Sequence, residues 1–225
     1  ATGILSLIDY LPQNVARSNE IVIARMKCLA FIGDMIAVSQ IYKDEHPIGE
    51  ESDLIAADAY LETGDTEMAL EIYSHMKWTK LSEIERIKLL RGIGRCHSMK
   101  GEYGNAVMQY DKALKIAKEN KQKEISGRLM MDLAAVEILR GRGQMATKYL
   151  LDAMKYVREN EHLLQQLYAN LSLTYYQRSM YDMALVMLDR VIDSFTRCGD
   201  YIGLMKCKLN KGAILRSLDR YAESE

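Results

Sequence analysis

The stretch Gly101-Glu102-Tyr103-Gly104-Asn105-Ala106-Val107-Met108-Gln109-Tyr110-Asp111-Lys112-Ala113 carries a pattern that recurs along the whole chain. After the glycine, Tyr103, Ala106, Tyr110 and Ala113 follow at steps of three, four and three, which places them on one face of an α-helix. Upstream, a second helical stripe is formed by Leu90, Ile93, Gly94 and His97. The small residues Gly94 and Ala106 would let the two backbones approach closely. The unit is therefore predicted to be two antiparallel helices joined by a tight turn.

The same turn position can be found in other parts of the chain. Each turn residue is followed by small and large apolar or aromatic residues at matching offsets, and the turn residues are Gly33, Gly64, Gly101, Gly141 and Ser179. The steps between them are 31, 37, 40 and 38 residues. A last, partial unit has Gly212 and Leu215 before Asp219 and Tyr221, with a step of 40 from Ser179 to Asp219. Helix pairs with periods in this range indicate a solenoid.

The order of a small residue, a turn glycine and then Tyr-x-x-Ala-x-x-x-Tyr-x-x-Ala resembles the tetratricopeptide repeat, and the resemblance covers nearly the whole chain. It implies an all-α fold, a right-handed α-α superhelix built from antiparallel helix pairs. The steps exceed the usual family period of about 34 residues. In this respect the chain is similar to the longer-helix members found in bacterial signalling regulators and in some eukaryotic scaffolds.

The repeats predict a single domain without an internal linker. Full repeats are expected at about 19–48, 50–79, 82–120, 121–160 and 161–199, with partial repeats at 1–18 and 200–225. Ser82 is predicted to cap a helix, with Glu85 completing a capping box, and residues 44–49 are predicted to form a loop. Ala1–Leu11 is predicted to be the second helix of a repeat, with Ile4, Leu7, Ile8 and Leu11 on its apolar face. Because both ends stop within a repeat, the chain is expected to be a fragment of a larger protein.

Charge and composition argue against several classes of function. The net charge of −1 and the pI near 6.5 do not favour a general nucleic-acid or membrane surface. The apolar run Gly3–Ile8 is too short for a signal peptide, and Leu129–Leu139 contains Asp132 and Glu137, which favours a helix face over a membrane span. The four cysteines have no paired spacing and are predicted to be reduced core residues. A cytoplasmic protein is therefore expected.

No catalytic, cofactor or metal site is predicted. The histidines are scattered singly, at His46, His75, His97 and His162, and no spacing brings two of them together as metal ligands. The glycine pair 92 and 94 lacks the preceding strand of a dinucleotide-binding loop, and the pair 141 and 143 marks a helix turn. His97 is interpreted as a packed histidine, and the glycines as structural residues.

A cationic stripe is the first candidate binding surface. Lys88, Arg91 and Arg95 lie at steps of three and four on one helix, and Arg128 occupies the place of Lys88 one repeat later. Such a stripe in a groove could bind an acidic peptide or a terminal carboxylate. In the alternative interpretation, Glu51 and Asp58, which lie one repeat earlier, pair with Lys88 and Arg95 as surface salt bridges of small energetic value.

An apolar patch on three later helices is the second candidate surface. Its members are predicted to line the concave side, and they are Met131, Ala135, Ile138, Ala169, Leu173, Tyr176, Leu209 and Ala213. This composition is typical of a groove for an amphipathic helix or for apolar peptide anchors. Alternatively, the helical phase differs by one residue and these are core positions. The competing stripe is Met130, Leu133, Ala134 and Glu137, of which Glu137 suits a core poorly.

These features predict a non-enzymatic scaffold that binds a peptide or helix segment in its concave groove. The expected partners are a protein or peptide segment, or other domains of the same parent chain, and no direct binding to nucleic acid or membrane is expected. The alternative is a ligand- or peptide-sensing module of a bacterial signalling or transcriptional regulator, in which the bound effector closes the solenoid and changes its contact with an output domain.

Overall fold

A computed structural model of the chain describes residues 1–8, 10–198 and 201–218, excluding the side chains of Cys198 and Ile202. Every regular element within these residues is helical, which confirms the predicted all-α class. The helices are α1 (Thr2–Ile8), α2 (Gln13–Ala16), α3 (Asn19–Ile32), α4 (Met35–Glu45), α5 (Glu50–Glu62), α6 (Thr66–His75), α7 (Glu83–Met99), α8 (Tyr103–Glu119), α9 (Lys123–Leu139), α10 (Gly143–Val157), α11 (Glu161–Gln177), α12 (Tyr181–Cys198) and α13 (Tyr201–Ser217). A short 3-10 helix, Trp78–Lys80, precedes α7.

The predicted turn and capping residues define the ends of the helices. The Ser82 side chain accepts a hydrogen bond from the backbone N–H of Glu85. In return, the Glu85 carboxylate accepts a hydrogen bond from the backbone N–H of Ser82 at 2.8 Å, so the predicted capping box is confirmed. The turn glycines adopt left-handed conformations that favour glycine, at Gly33, Gly64, Gly101 and Gly141. Ser179 has the same left-handed geometry, with φ of 56°. The predicted loop at 44–49 begins two residues late, because α4 continues through Glu45.

The N-terminal segment differs from the prediction. Only Ile8 of the predicted apolar face is buried, whereas Ile4 and Leu7 are exposed. The helix ends at Ile8, and a separate short helix α2 begins directly after Pro12. Proline disfavours a helical conformation in the residue before it, and its ring clashes with the backbone carbonyl four residues earlier, so Pro12 disfavours a helix that continues to Leu11 as predicted. At the other end, Gly212 is buried within α13, and the predicted turn at Asp219 and Tyr221 lies outside the described residues.

The helices group into two compact units, residues 1–116 and 117–225. In the first unit, α5 packs against α3, α4, α6 and α7, and α1 packs against α3. In the second unit, α9 packs against α10 and α11, α11 against α10 and α12, and α12 against α13. Helices that are consecutive in the chain therefore pack as pairs, as the repeat pattern predicts. The assignment of a single domain stays a prediction.

Buried glycines in α7 make room for aromatic side chains. A Cβ on Gly94 would lie 2.6 Å from the Tyr110 ring of α8, and a Cβ on Gly92 would overlap the Tyr73 ring of α6. Contacts this short do not occur in folded proteins, so both positions require glycine for packing. The interpretation of this glycine pair as structural is thus supported by its surroundings.

Leucine at position 106 is expected to destabilise the α7–α8 pair. Ala106 is fully buried, so the extra methylene groups of Ala106→Leu must displace close-packed neighbours. We expect a loss of about 1–3 kcal/mol in the free energy of unfolding. Urea denaturation measures it, and Lys112→Leu on the exposed side of α8 is the matched control. Equal stability of Ala106→Leu and the unmodified chain would contradict this packing.

The cysteines and the helix hydropathy add two further observations. Cys96 and Cys207 are buried and Cys28 is half-buried, while the Cys198 side chain lies outside the described residues. Burial raises the pKa of the Cys96 thiol to about 11. Among the described helices, none combines the length and apolarity needed to cross a membrane.

Candidate functional site

An apolar pocket of about 150 Å³ lies between α11, α12 and α13 in the second unit. Four residues of the predicted patch line it, and they are Ala169, Leu173, Tyr176 and Ala213. Five further residues complete the lining: Ser172, Leu188, Cys207, Asn210 and Ile214. No charged side chain is among these lining residues. The structure therefore brings together half of the residues that the sequence placed on the patch.

The pocket has a buried floor and an exposed wall. Leu188, Cys207 and Ile214 are buried, so they form the floor. Leu173 remains 47% exposed and Tyr176 38% exposed, although both side chains are large and hydrophobic. The Tyr176 ring packs against the ring of Tyr181, with the ring centroids 5.7 Å apart and the ring planes tilted by 51°. Tilted aromatic pairs at this distance are favourable, so the wall has a defined position in the absence of a ligand.

Polar contacts between neighbouring helices hold the walls of the pocket. Buried Gln165 on α11 donates to the Ser194 hydroxyl on α12, and Ser194 donates to Glu161 at 2.8 Å. On the other side, the Lys211 ammonium of α13 pairs with Asp189 of α12 at 2.6 Å. Buried polar groups are costly to leave unpaired, and sliding α11 along α12 would break these hydrogen bonds. The contact therefore favours one relative position of the two helices. The pocket is therefore a feature of three helices held in a defined arrangement.

Four predicted patch residues do not join the pocket. Leu209 is 68% exposed on α13 and does not line the pocket. On α9, Ala135 is exposed, but Met131 and Ile138 are buried. The prediction of a solvent-facing apolar surface on α9 is therefore wrong for Met131 and Ile138. The physical reason is that α9 packs against both α10 and α11, which buries a wide arc of its circumference.

The competing stripe on α9 is also buried, including its glutamate. Met130, Leu133 and Ala134 belong to the core, and Glu137 is only 3% exposed. The Arg140 guanidinium donates to one oxygen of Glu137 at 2.8 Å, and Arg142 approaches the other oxygen at 3.8 Å. A charged group can be buried when a partner of opposite charge is next to it. The low expectation for Glu137 in a core was wrong because it did not take into account Arg140, which lies three residues further along the chain and pairs with the Glu137 carboxylate.

Sequence reasoning missed five residues that line the pocket. Leu188 had been assigned only to the repeat pattern and Cys207 only to the core, and Ser172, Asn210 and Ile214 had no assigned role. A signal was available for α13, because Cys207, Asn210 and Ile214 follow at steps of three and four, which describes one helix face. That face could not be distinguished from an ordinary core face without the position of α12.

The cationic residues do not belong to the apolar pocket. Lys88, Arg91 and Arg95 lie on α7 in the first unit, and Arg128 lies on α9 in the second. Arg128 approaches Glu124 on its own helix at 3.8 Å. The pairing predicted for Arg95 is wrong, since its guanidinium contacts Glu62 at 2.6 Å. The pairing predicted for Glu51 is also wrong, because Glu51 contacts Lys27 on α3 at 2.7 Å.

Asp58 is nevertheless coupled to the cationic stripe. Its carboxylate accepts a hydrogen bond from the Tyr73 hydroxyl at 2.7 Å, which explains why Arg95 pairs with Glu62, one helical turn further along α5. Burial raises the pKa of Asp58, and the Tyr73 hydrogen bond and the charges of Arg95, Arg91 and Lys88 oppose this shift. Burial, and then the neighbouring Asp58 charge, raise the pKa of Tyr73 far above its usual range. The stripe therefore has a counter-charge on α5, the first helix of the preceding repeat, although not through the ion pairs that the alternative interpretation expected.

An asparagine at position 58 is expected to raise the melting temperature at pH 7. Because the pKa of Asp58 is higher in the folded chain than in the unfolded chain, its contribution to stability is full below the unfolded pKa. That contribution is lost as the pH rises through the folded pKa. Asp58→Asn removes the titrating carboxyl group, and the asparagine side chain can still accept a hydrogen bond from the Tyr73 hydroxyl. The variant should therefore melt at a higher temperature than the unmodified chain at pH 7, and this difference should vanish at pH 3. Thermal unfolding at both pH values tests this, and an equal loss of stability at both would contradict it.

The second unit also contains a larger, polar cavity of about 570 Å³. It is lined at the ends of α9, α10 and α11 by Lys123, Glu124, Lys155, Tyr156, Arg158, Glu159, Asn160 and Glu161. Three cations and three carboxylates line it, so its lining has no excess of one sign of charge. Apolar pockets with a few polar groups are the more typical binding sites. In the part of the chain that the structure describes, no group of three His, Cys, Asp or Glu side chains is arranged to hold a metal ion.

No protein-family model matches the sequence. No curated protein matches it either. The fold is similar to that of solved structures, however. One is a signal transduction ATPase with numerous domains (STAND) from Pyrococcus horikoshii that has a tetratricopeptide repeat sensor, with a TM-score of 0.80 and 16% identity over 98% of this chain and 36% of that chain.

Two further structures show the same arrangement of helices. A Rap protein complexed with competence and sporulation factor has a TM-score of 0.77 and 18% identity, over 98% of this chain and 66% of that chain. BtubC (BKLC) from P. vanneervenii has a TM-score of 0.67 and 19% identity, over 92% of this chain and 84% of that chain. At such low identity the similarity describes the fold and not the function. The repeated helix pairs, their turn residues and these structural neighbours together show that the chain has a tetratricopeptide-like helical-repeat fold.

Proposed function

We propose that this chain is a non-enzymatic protein-interaction module that holds one apolar side chain of a peptide or helix segment in the pocket between α11, α12 and α13. The observation that carries the proposal is the exposed wall of Leu173 and Tyr176 above a buried apolar floor. Large hydrophobic side chains grouped around a concavity are typical of interaction sites, whereas single exposed ones are ordinary.

The size of the pocket supports a single anchoring side chain. An aliphatic cavity of about 150 Å³ in another protein accepts a benzene molecule. The pocket has the same volume, so a leucine, methionine or phenylalanine side chain would fill it. The polar side chains Ser172 and Asn210 at the lining can orient a bound chain by hydrogen bonds. One well-placed anchor commonly provides most of the affinity of an interface.

The structural neighbours are compatible with this proposal. The Rap protein with a similar fold was solved in complex with competence and sporulation factor, so helical repeats of this kind can hold a bound partner. Identity to that protein is 18%, and no binding residue is transferred from it. The proposal for this chain therefore depends on its own pocket.

Selection from a phage-displayed library of random 12-residue peptides tests the proposal. The immobilised chain is the bait, and a variant with Leu173→Glu is used for counter-selection. We expect the enriched peptides to share one uncharged apolar residue at a common position and to lose binding to the counter-selection variant. Enrichment that is equal on both baits, or no enrichment at all, would contradict a binding pocket at this place.

A second candidate function is sensing of a ligand or peptide within a bacterial regulator. The observation that favours it is the similarity to the P. horikoshii protein with a tetratricopeptide repeat sensor, 36% of which is matched by this chain. A sensor changes its conformational equilibrium on binding, whereas a scaffold does not need to. Hydrogen exchange with a selected peptide distinguishes the two, because protection that extends to helices of the first unit would favour sensing.

A further inference from the structure

We infer that the partner of the α11–α13 pocket is an acidic segment, with Asp or Glu residues beside its apolar anchor. This inference rests on the proposed function and specifies the chemistry of the bound chain. It follows from the charge of α13, from the position of one lysine relative to the pocket, and from the neutral character of the opposite helix.

The charge of α13 is one-sided. The helix contains the four basic residues Lys206, Lys208, Lys211 and Arg216 and no acidic residue. Lys211 is paired with Asp189, while Lys206, Lys208 and Arg216 are exposed. Within the described part of the chain, Lys206 and Lys208 form no ion pair. A chain that extends out of the pocket along α13 therefore meets positive charge that is not paired with any of the described acidic residues.

Lys206 lies on the side of α13 that faces the pocket. It precedes Asn210 and Ala213 by four and seven residues, and both of these line the pocket. This spacing places the three residues on one helix face. Lys208 is two residues away and projects from a different face of the same helix, where it is equally exposed. The two lysines therefore differ in position relative to the pocket but not in charge or exposure class.

The helix on the other side of the pocket contributes neutral groups. Gln166 and Gln177 extend the face of α11 that carries Leu173, and both are exposed. The lining itself contains no charged residue, so the anchor that enters the pocket is expected to be uncharged. On α12, Asp189 lies next to the lining residue Leu188 and is paired with Lys211, so the positive charge of the rim that has no ion pair among the described residues is that of Lys206 on α13. Rim charges mainly determine the rate of association and the choice of partner.

The experiment uses the most enriched peptide from the library selection, and a version in which its Asp and Glu residues are changed to Asn and Gln. Fluorescence anisotropy gives the dissociation constant of each of the two peptides for three proteins, namely the unmodified chain and the variants Lys206→Glu and Lys208→Glu. We expect the amide version to bind about three- to fivefold more weakly per charge removed, and Lys206→Glu to weaken the acidic peptide about tenfold. Lys208→Glu should change it by less than about twofold, because Lys208 projects from a different face of α13 and its charge is separated from the peptide by solvent that screens it.

The outcomes separate this inference from the proposed function. If both peptides bind equally well and both remain sensitive to Leu173→Glu, the apolar pocket is the binding site but the acidic preference is wrong. The same conclusion follows if Lys206→Glu and Lys208→Glu have equal effects. If neither peptide responds to Leu173→Glu, the pocket is not the site, and the proposed function and the inference are both wrong. Circular dichroism spectra verify that each variant is folded.

Discussion

Replacing Leu173 by glutamate is expected to weaken binding of a selected peptide by about 30-fold or more, which corresponds to about 2 kcal/mol. Leu173 lines the pocket and is 47% exposed, so its side chain contacts solvent in the free chain and the anchor in the complex. A carboxylate at this place would lose water when the apolar anchor enters, and no partner in the lining compensates for it. Fluorescence anisotropy with the labelled peptide measures the loss.

The control for this experiment is Val186→Glu on α12. Val186 is 51% exposed and does not line the pocket, so the same charge is introduced at a site of similar exposure. We expect binding to this variant to stay within about twofold of the unmodified chain. A loss at Val186→Glu as large as that at Leu173→Glu, or binding to Leu173→Glu within about threefold of normal, would show that the pocket does not hold the anchor.

The second large effect is expected for folding, from Leu167→Ala on α11. Leu167 is fully buried, so truncation removes buried methyl groups and leaves a cavity, at a cost of about 2–5 kcal/mol. Leu173→Ala is the matched control, because it makes the same chemical change on the same helix. Since Leu173 is half-exposed in the pocket wall, its truncation should cost less than about 1 kcal/mol. Urea denaturation of the two variants gives both values.

This pair also tests the helical phase of α11. The pocket requires that Leu173 faces solvent while Leu167 faces the core. An error in the rotation of α11 about its axis would change which of these two leucines is buried. If the two alanine variants lose equal stability, Leu173 is a core residue and the pocket wall does not exist as described. If Leu173→Ala alone is destabilising, the two faces of α11 are exchanged.

Local sequence was sufficient to predict most of the secondary structure. Each turn residue of the repeat frame that falls within the described residues, from Gly33 to Ser179, adopts the left-handed geometry that ends a helix. The Ser82 capping box also formed as predicted. Such signals act within four residues of each other, so they do not depend on the position of other helices. The short helix α2 was missed because it has only four residues and no periodic apolar pattern.

Side-chain partners between helices were predicted less well. Arg95 was assigned to Asp58 by counting residues from one repeat to the next, but Glu62 is its partner. A difference of one helical turn corresponds to about 6 Å along the helix axis. Equal offsets in sequence do not determine that displacement, because it depends on how bulky residues such as Tyr73 pack against Gly92.

The sequence by itself determined most of the helices, their turn residues and the repeat, because periodicity and capping are properties of short segments. It also identified Leu173 and Tyr176 as members of an apolar surface. Only the tertiary structure decided which patch residues form a pocket and which ones, such as Met131 and Ile138, are covered. The reason is that exposure of a side chain on a helix depends on how many other helices surround it. α9 packs against two helices of its unit and buries both of its apolar stripes except Ala135, whereas α11, α12 and α13 leave a concavity between them.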